Sequence, residues 1–466
     1  MGIIPSLFLA FSGVTVVASN VVYSFDATQY DARDVIVRDI AVIGGGSSGT
    51  YGAVNLHAMG QSVILVEKEA LLGGHINTYT DPTTGVTVDY GVQAFWNSTT
   101  TWDYFELLGI SGEAYSIAPL TNVFYDFSTG APVTVQIANN FTAYAQQLDN
   151  YPYLANSWDL PNPLPEDLVL PFQNFVTKYN LVNMAYTIYF YSQGLTNFLQ
   201  QLTINVFKMF DSTLLSGLTG HDVVPPNHNN KLIFEMALEK LGPSNVLLSS
   251  TIVAAQRPPN VPGVLLIAKT PNGDKLIRVS KLLISIPPLL ENMRSFDLND
   301  MEKSIFSQWT YSSYYTMLVN NTGLPSGYRF MNANSSSATF NIPELPAPYQ
   351  VTESRILGLW YVWYGSPTPL TQDEVQEDVL KVIKRLQQAI LSNESPGPSP
   401  EFVEFRSHTP FKLEPSKENL ENGFYNNLNG LQGERNTWYT GAAFISQASG
   451  ILWNYTHSLL PEIVGK

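Results

Sequence analysis

Two short apolar runs set the first prediction, Ile40-Ala-Val-Ile43 leading into three glycines and Val63-Ile-Leu-Val66 ending on Glu67. Unbroken apolar, β-branched runs of this length read as strands buried on both faces, and residues 50–59 between them read as a helix. The pattern therefore predicts a strand, a glycine turn, a helix and a second strand. Further apolar strands are predicted around 245–254, 263–268 and 276–286, the last ended by Pro287-Pro288 because proline cannot donate to a ladder. From about 95 to 218 the texture changes to aromatics, Asn and helical runs, notably 166–178 and 195–210, which read as an inserted cap. Aromatic strands follow over 309–364, then a charged amphipathic helix over 371–391 and a Pro/Ser linker over 395–400. The chain closes on a turn, strand and turn over 430–441 and a final helix opening at Gly450.

The first unit has the grammar of a dinucleotide-binding βαβ motif. Gly44 is placed for the tight turn, Gly46 for close approach of a pyrophosphate, and Gly49 for packing of helix on sheet. Glu67, at the end of the second strand, is placed to accept hydrogen bonds from an adenosine ribose. A glycine triplet alone is weak; the flanking strands, the helix and the acid supply the specificity.

At 466 residues the chain is long enough for two or three domains. A formal charge of −15 with only 14% charged residues excludes the basic footprint of a nucleic-acid binder. The absence of Cys excludes disulfides, thiolate metal sites and cysteinyl cofactor links. The start, residues 1–18, resembles a cleaved signal peptide, although it lacks a basic n-region, and a short membrane anchor is the alternative. Six Asn-x-Ser/Thr sequons, at Asn97, Asn140, Asn320, Asn334, Asn393 and Asn454, fit a secreted, glycosylated protein. With the signal removed, no membrane span is expected.

The motifs Ile43-Gly-Gly-Gly-Ser-Ser-Gly49, Val66-Glu-Lys-Glu with Leu72-Gly-Gly-His75, Val88-Asp-Tyr-Gly91, Lys281-Leu-Leu-Ile-Ser-Ile-Pro-Pro288 and Asn436-Thr-Trp-Tyr-Thr-Gly441 through Gly450 stand in one order. In that order they resemble the flavin-containing amine oxidase superfamily, and within it the fungal beta-cyclopiazonate dehydrogenase branch. The resemblance implies FAD. Gly44, Gly46, Ser48, Gly49 and Glu67 would hold its ADP half, with Gly73, Gly74 and His75 by the pyrophosphate and ribityl chain. Gly91, Val92 and Gln93 would approach the isoalloxazine, Ile252 the adenine, and Gly441 and Gly450 would flank the returning segment. The N–H groups of Ile451 and Leu452 would meet the flavin pyrimidine.

Departures from the family pattern bear on the chemistry. His75 stands where many members have Arg, Ala443 where they have an acid, and no Lys occurs between Lys303 and Lys381 to sit over the flavin. Amine oxidation as such is therefore in doubt. Noncovalent FAD is favoured, with a histidyl link through His75 the alternative, and His408 and Gln93 are the candidates for a catalytic role. No metal site is expected. The chain is also similar, around 167–175 and 430–441, to a bacterial flavin-dependent isomerase of polyunsaturated fatty acids. A fatty acid would need a cation for its carboxylate, and the cap holds only Lys178 and Lys208.

The expected architecture is α/β: a discontinuous Rossmann-type FAD-binding domain (36–94, 219–300 and 430–466) with an interleaved α+β substrate domain (95–218 and 301–429). Its aromatics supply a candidate lining, with Phe95, Trp96, Tyr189, Phe190, Tyr191 and Phe210 on one side. Trp309, Tyr311, Tyr314, Trp360, Tyr361, Trp363 and Tyr364 would lie on the other. The expected function is oxidation, by hydride transfer to flavin, of a hydrophobic, neutral or amine-bearing secondary metabolite, with oxidative cyclisation as an extension and oxygen or another acceptor taking the electrons. A redox-neutral double-bond isomerase and a flavin-bearing binding protein without turnover are the alternatives.

Overall fold

The computed structural model describes residues 15–18, 21–138, 140–218, 222–259, 262–335, 338–390 and 397–465. Most of the signal-like start and the Asn393 sequon lie outside them; Thr15–Ala18 is a short strand antiparallel to Val21–Ser24.

The first sheet runs Val246–Leu247, Val63–Val66, Val35–Ile43, Gly273–Ile284, Val264–Thr270, Thr251–Gln256. Its first four strands pair in parallel and its last two add antiparallel. Ile40, Val42, Val63 and Leu65 pack with Tyr51 and Val54 of the helix Ser47–Ala58, while Ala41, Ile43, Ile64 and Val66 enter the cluster on the other face. Burial on both faces is why these strands read as unbroken apolar runs. Gly273–Ile284 serves two neighbours on one side, the antiparallel Val264–Thr270 and then, at Leu282–Ile284, the parallel Thr437–Tyr439. That last pairing returns the end of the chain to the glycine turn.

Three predicted elements are divided. The strand expected over 245–254 is two, because Ser249 takes φ 49° and the N–H groups of Ser249 and Ser250 donate to the carbonyls of Glu69 and Glu67. The helical run over 166–178 breaks at Pro171 into Glu166–Val169 and Phe172–Lys178, since proline lacks the N–H that would continue the helix. The run over 195–210 breaks at Leu202 into Phe198–Gln200 and Thr203–Met209. The two breaks meet: Pro171 bridges Leu202, and Phe172 and Thr203 donate to the carbonyls of Gln201 and Leu170.

The second sheet has the order Glu401–Ser407, Thr310–Asn320, Trp360–Ser366, Ala347–Glu353, Tyr328–Asn332, Thr121–Asp126, Ala131–Pro132, with Phe411–Glu414 on Thr310–Asn320. The helix Gln372–Ile390 covers one face, where Val375, Val379, Val382, Ile383 and Leu386 pack on Met317, Phe330, Val351 and Val362. Tyr314, Met331, Tyr349 and Trp363 instead join the cap residues Tyr186, Tyr189 and Phe190. The fully buried Arg257 ties strand, helix and C-terminal segment together. Its Nε lies 2.9 Å from Asp297 and its Nη1 2.8 Å from Glu302, and Arg435 reaches the same two acids.

Candidate functional site

The glycine turn and the second glycine pair close on each other. A Cβ on Gly74 would stand 2.9 Å from the Gly46 Cα, whereas a Cβ on Gly46 would meet nothing nearer than the Gly74 Cα at 3.7 Å. A Cβ on Gly49 would lie 1.9 Å from the Gly44 carbonyl oxygen, so this glycine is fixed by helix packing. Gly44 has φ +102° and Gly73 and Gly74 also take positive φ, the conformation that glycine adopts without strain. The Ser47 Oγ, in the first turn of the helix, is buried without a partner, and that turn's N–H groups have no carbonyl four residues back inside the helix. An orphaned hydroxyl beside free N–H groups and an open glycine fits a pyrophosphate. Glu67 sits at the turn as predicted, but its carboxylate already accepts from the Gly45 N–H at 2.5 Å and the Glu69 N–H at 2.8 Å. A carboxylate oxygen carries two lone pairs, so ribose hydroxyls would share these oxygens rather than find them free. The Ser250 bond to the Glu67 carbonyl brings the chain past this strand end immediately before Ile252.

Farther along, Gly91, Val92 and Gln93 lie against His75 and Asn77. A Cβ on Gly91 would stand 2.1 Å from the His75 carbonyl oxygen, and the Val92 N–H donates to that oxygen at 3.2 Å. The His75 ring stacks on His408 with centroids 4.2 Å apart and 8° between planes, and His408 Nε2 lies 2.9 Å from the Asn77 Oδ1. Burial, then the charge of Lys68, pushes His75 down to about 4; burial, then His75 and Arg406, holds His408 well below its ordinary range. Burial thus favours the neutral form of both rings. His75 and Tyr314 each keep part of their surface uncovered. Phe411 stacks on Tyr314 at 4.9 Å and lies 5.9 Å from His75, which closes this side.

The face of the second sheet turned from its covering helix is unusually polar. Thr316, Trp363, Gln350 and Met331 stand opposite one another across four strands, and Tyr361, Thr352 and Arg329 form the next row. The Thr316 Oγ1, Trp363 Nε1, Gln350 Oε1, Thr352 Oγ1 and Arg329 Nε are all buried without a partner, as are the Tyr189 OH and Ser192 Oγ opposite. Buried polar atoms are nearly always hydrogen-bonded, so this array is built to meet a ligand or its water.

The returning segment needs one correction. Leu452 donates its N–H to the Ala448 carbonyl at 2.9 Å, so of the two predicted donors only Ile451 belongs to the open first turn of Ser449–Gly465. Gly450 packs on Trp96, whose Cβ would lie 2.8 Å from an added Cβ, and Gly441 takes φ +106° with Ser285 behind it. Ser48 is buried and Ser47 carries the unpartnered hydroxyl. Of the predicted lining, Trp360 and Tyr364 point to the helix Gln372–Ile390, Trp309 packs on Phe424, and Phe95 stacks on Trp453 at 4.8 Å behind the first sheet. Strand alternation separates Tyr361 and Trp363 from Trp360 and Tyr364, and the same count in sequence would have found Thr352 and Arg329. Gln93 is held by the Tyr115 OH, which donates to its Oε1 at 3.1 Å.

Residues 42–108 match the family of NAD(P)-binding Rossmann-like domains. The chain is 40% identical to an FAD-dependent oxidoreductase of Monascus ruber, pigF, with 97% of each chain covered. It is 34% identical to the beta-cyclopiazonate dehydrogenase of Aspergillus oryzae over 96% of this chain and 97% of that one. Among solved structures, a fatty acid isomerase from P. acnes superposes with a TM-score of 0.71 at 17% identity, covering 94% of this chain and 99% of its own. A putrescine oxidase superposes with a TM-score of 0.65 at 15% identity, covering 93% of this chain and 100% of its own; both show the fold alone. The chain belongs to the family of FAD-dependent oxidoreductases that includes these fungal proteins, on an amine-oxidase-like fold.

Proposed function

We propose that the protein oxidises a hydrophobic small molecule by hydride transfer to noncovalently held FAD. The observations that support the reading are the junction of the two glycine segments and the unpartnered polar face of the second sheet, which together would bound a substrate hollow. FAD, when bound, supplies the hydride acceptor. The chain's own residues would bind and orient: Ser47 and the first turn of Ser47–Ala58 would take the pyrophosphate, and Glu67 would share the ribose. Tyr314, Phe411 and the stacked His75 and His408 pack an aromatic wall. His75, stacked on His408, would contact the cofactor without a covalent link. The weak C–H bond is placed by the wall, and no general base is required. Net oxidation accords with the dehydrogenase name of one relative, with oxygen or another acceptor reoxidising the cofactor and ring closure following where the product carries an internal nucleophile.

The redox-neutral isomerase keeps a place as second reading, because Arg329 supplies the cation that the cap lacks. Anaerobic addition of hydrophobic amines, indoles and acids, followed by mass spectrometry, separates the readings. Bleached flavin with a product lighter by one H2 supports oxidation; a product of unchanged mass supports isomerisation. A spectral shift without any product marks a binding protein.

Passage through the secretory route is proposed on the sequons, of which Asn97 and Asn140 are exposed. A mobility shift on treating protein from a eukaryotic host with an N-glycosidase is expected, and unchanged mobility would contradict it.

A further inference from the structure

Among the unpartnered polar atoms of the second sheet's polar face, the Arg329 Nε belongs to a charged side chain. Arg329 lies on Tyr328–Asn332, opposite Thr352 in one neighbouring strand and Asn122 in the other. Its Nε is buried without a partner, and among the described residues no hydrogen bond or ion pair holds its guanidinium. Arg257 and Arg435, by contrast, are both held by Asp297 and Glu302. Only the Nε of Arg329 is covered; the two Nη groups stay open to a ligand.

Its surroundings say what it faces. Burial raises the pKa of Tyr115 and Tyr191, and the Arg329 charge acts against that rise at both, while Asp89 and Asp222 add to it at Tyr115. Tyr115 then leads to Gln93, two residues beyond Gly91. Next to Arg329 the Thr352 hydroxyl is free, and in the adjoining row the Trp363 indole N–H is a donor without an acceptor. Arg329 and Trp363 present donors here, and the Gln350 Oε1 opposite Trp363 is an acceptor. The planar fork of an arginine fits an anion whose charge is shared by two oxygens.

We infer that Arg329 anchors the substrate, and that the substrate is a hydrophobic anion presenting two oxygens to the guanidinium, Thr352 and Trp363. This rests on the hollow being the substrate site of an FAD-dependent enzyme, and it replaces the expectation of a neutral or amine-bearing substrate. The cation was overlooked in sequence because it lies on the returning sheet and not in the inserted cap.

The test uses the oxidised holoenzyme, with phenylbutyrate, its methyl ester and phenylbutylamine as probes and the flavin absorbance as readout, so no turnover is needed. Phenylbutyrate is expected to bind roughly tenfold or more tighter than either analogue. Arg329→Gln is expected to remove that preference while leaving the ester and the bound FAD unchanged, and Arg329→Lys to restore part of it. Equal binding of acid, ester and amine by the wild-type holoenzyme would overturn the proposal, as would an unaltered preference in Arg329→Gln. Should that variant fail to fold, the wild-type comparison decides alone. Wild-type protein that holds no FAD would instead overturn the reading of the site itself.

Discussion

Gly46 and Gly49 stand three positions apart in one motif and are required for different reasons. An Ala at Gly49 must displace the Gly44 carbonyl, 1.9 Å from its Cβ, so Gly49→Ala is expected to lower stability by about 3 kcal/mol in urea unfolding of the apoprotein. At Gly46 φ is −76° and the space is open, so Gly46→Ala should leave the apoprotein within about 0.5 kcal/mol of wild type while abolishing FAD binding. If Gly46→Ala retains FAD, the pyrophosphate is not where the turn places it. Asp89 behaves differently. Burial, partly opposed by hydrogen bonds from Thr78 and the Asn230 N–H, raises its carboxyl to about 8. The folded state therefore holds a proton that the unfolded state has released, and stability falls as pH rises from about 4 to about 8. The loss is of order 1 kcal/mol or more, and a flatter profile of melting temperature against pH is expected for Asp89→Asn.

At the scale of elements, the strand alternation of the second sheet divides its work. One face packs on Gln372–Ile390, and the other carries the unpartnered polar atoms proposed to line the substrate hollow. Ile383→Ala is expected to cost about 3 kcal/mol and to leave the flavin spectrum of the folded protein unchanged. A changed spectrum at equal FAD content would mean that the helix face and the hollow are not separate. The glycine unit, the long helix and the returning strand were legible because each has a period or punctuation of its own. The cap was less so. Pro171 was visible in the run over 166–178, yet the break opposite it at Leu202 depends on pairing across thirty residues, which no local pattern carries. The same limit applied to the lining: a count of aromatics could not assign Phe95, which stacks behind the first sheet, or Trp309, which packs on Phe424.

On the scale of the whole molecule, function depends on the closing of distant segments. The glycine turn at Gly44, the loop at Gly91 and the first turn of Ser449–Gly465 converge because Gly273–Ile284 pairs with both Val35–Ile43 and Thr437–Tyr439. The Arg257 network with Asp297, Glu302 and Arg435 fastens that last segment from inside. Ser47 and Arg329 were missed in sequence for a related reason. Each is ordinary in its own element and becomes significant only when the assembled fold leaves it without a partner. The central claim, a flavin held without a covalent bond in this junction, is tested most directly by the absorbance spectrum of the purified protein before and after acid precipitation. Flavin bands that pass wholly into the supernatant are the predicted result; a colourless protein that takes up no added FAD, or flavin that stays in the pellet, would contradict it.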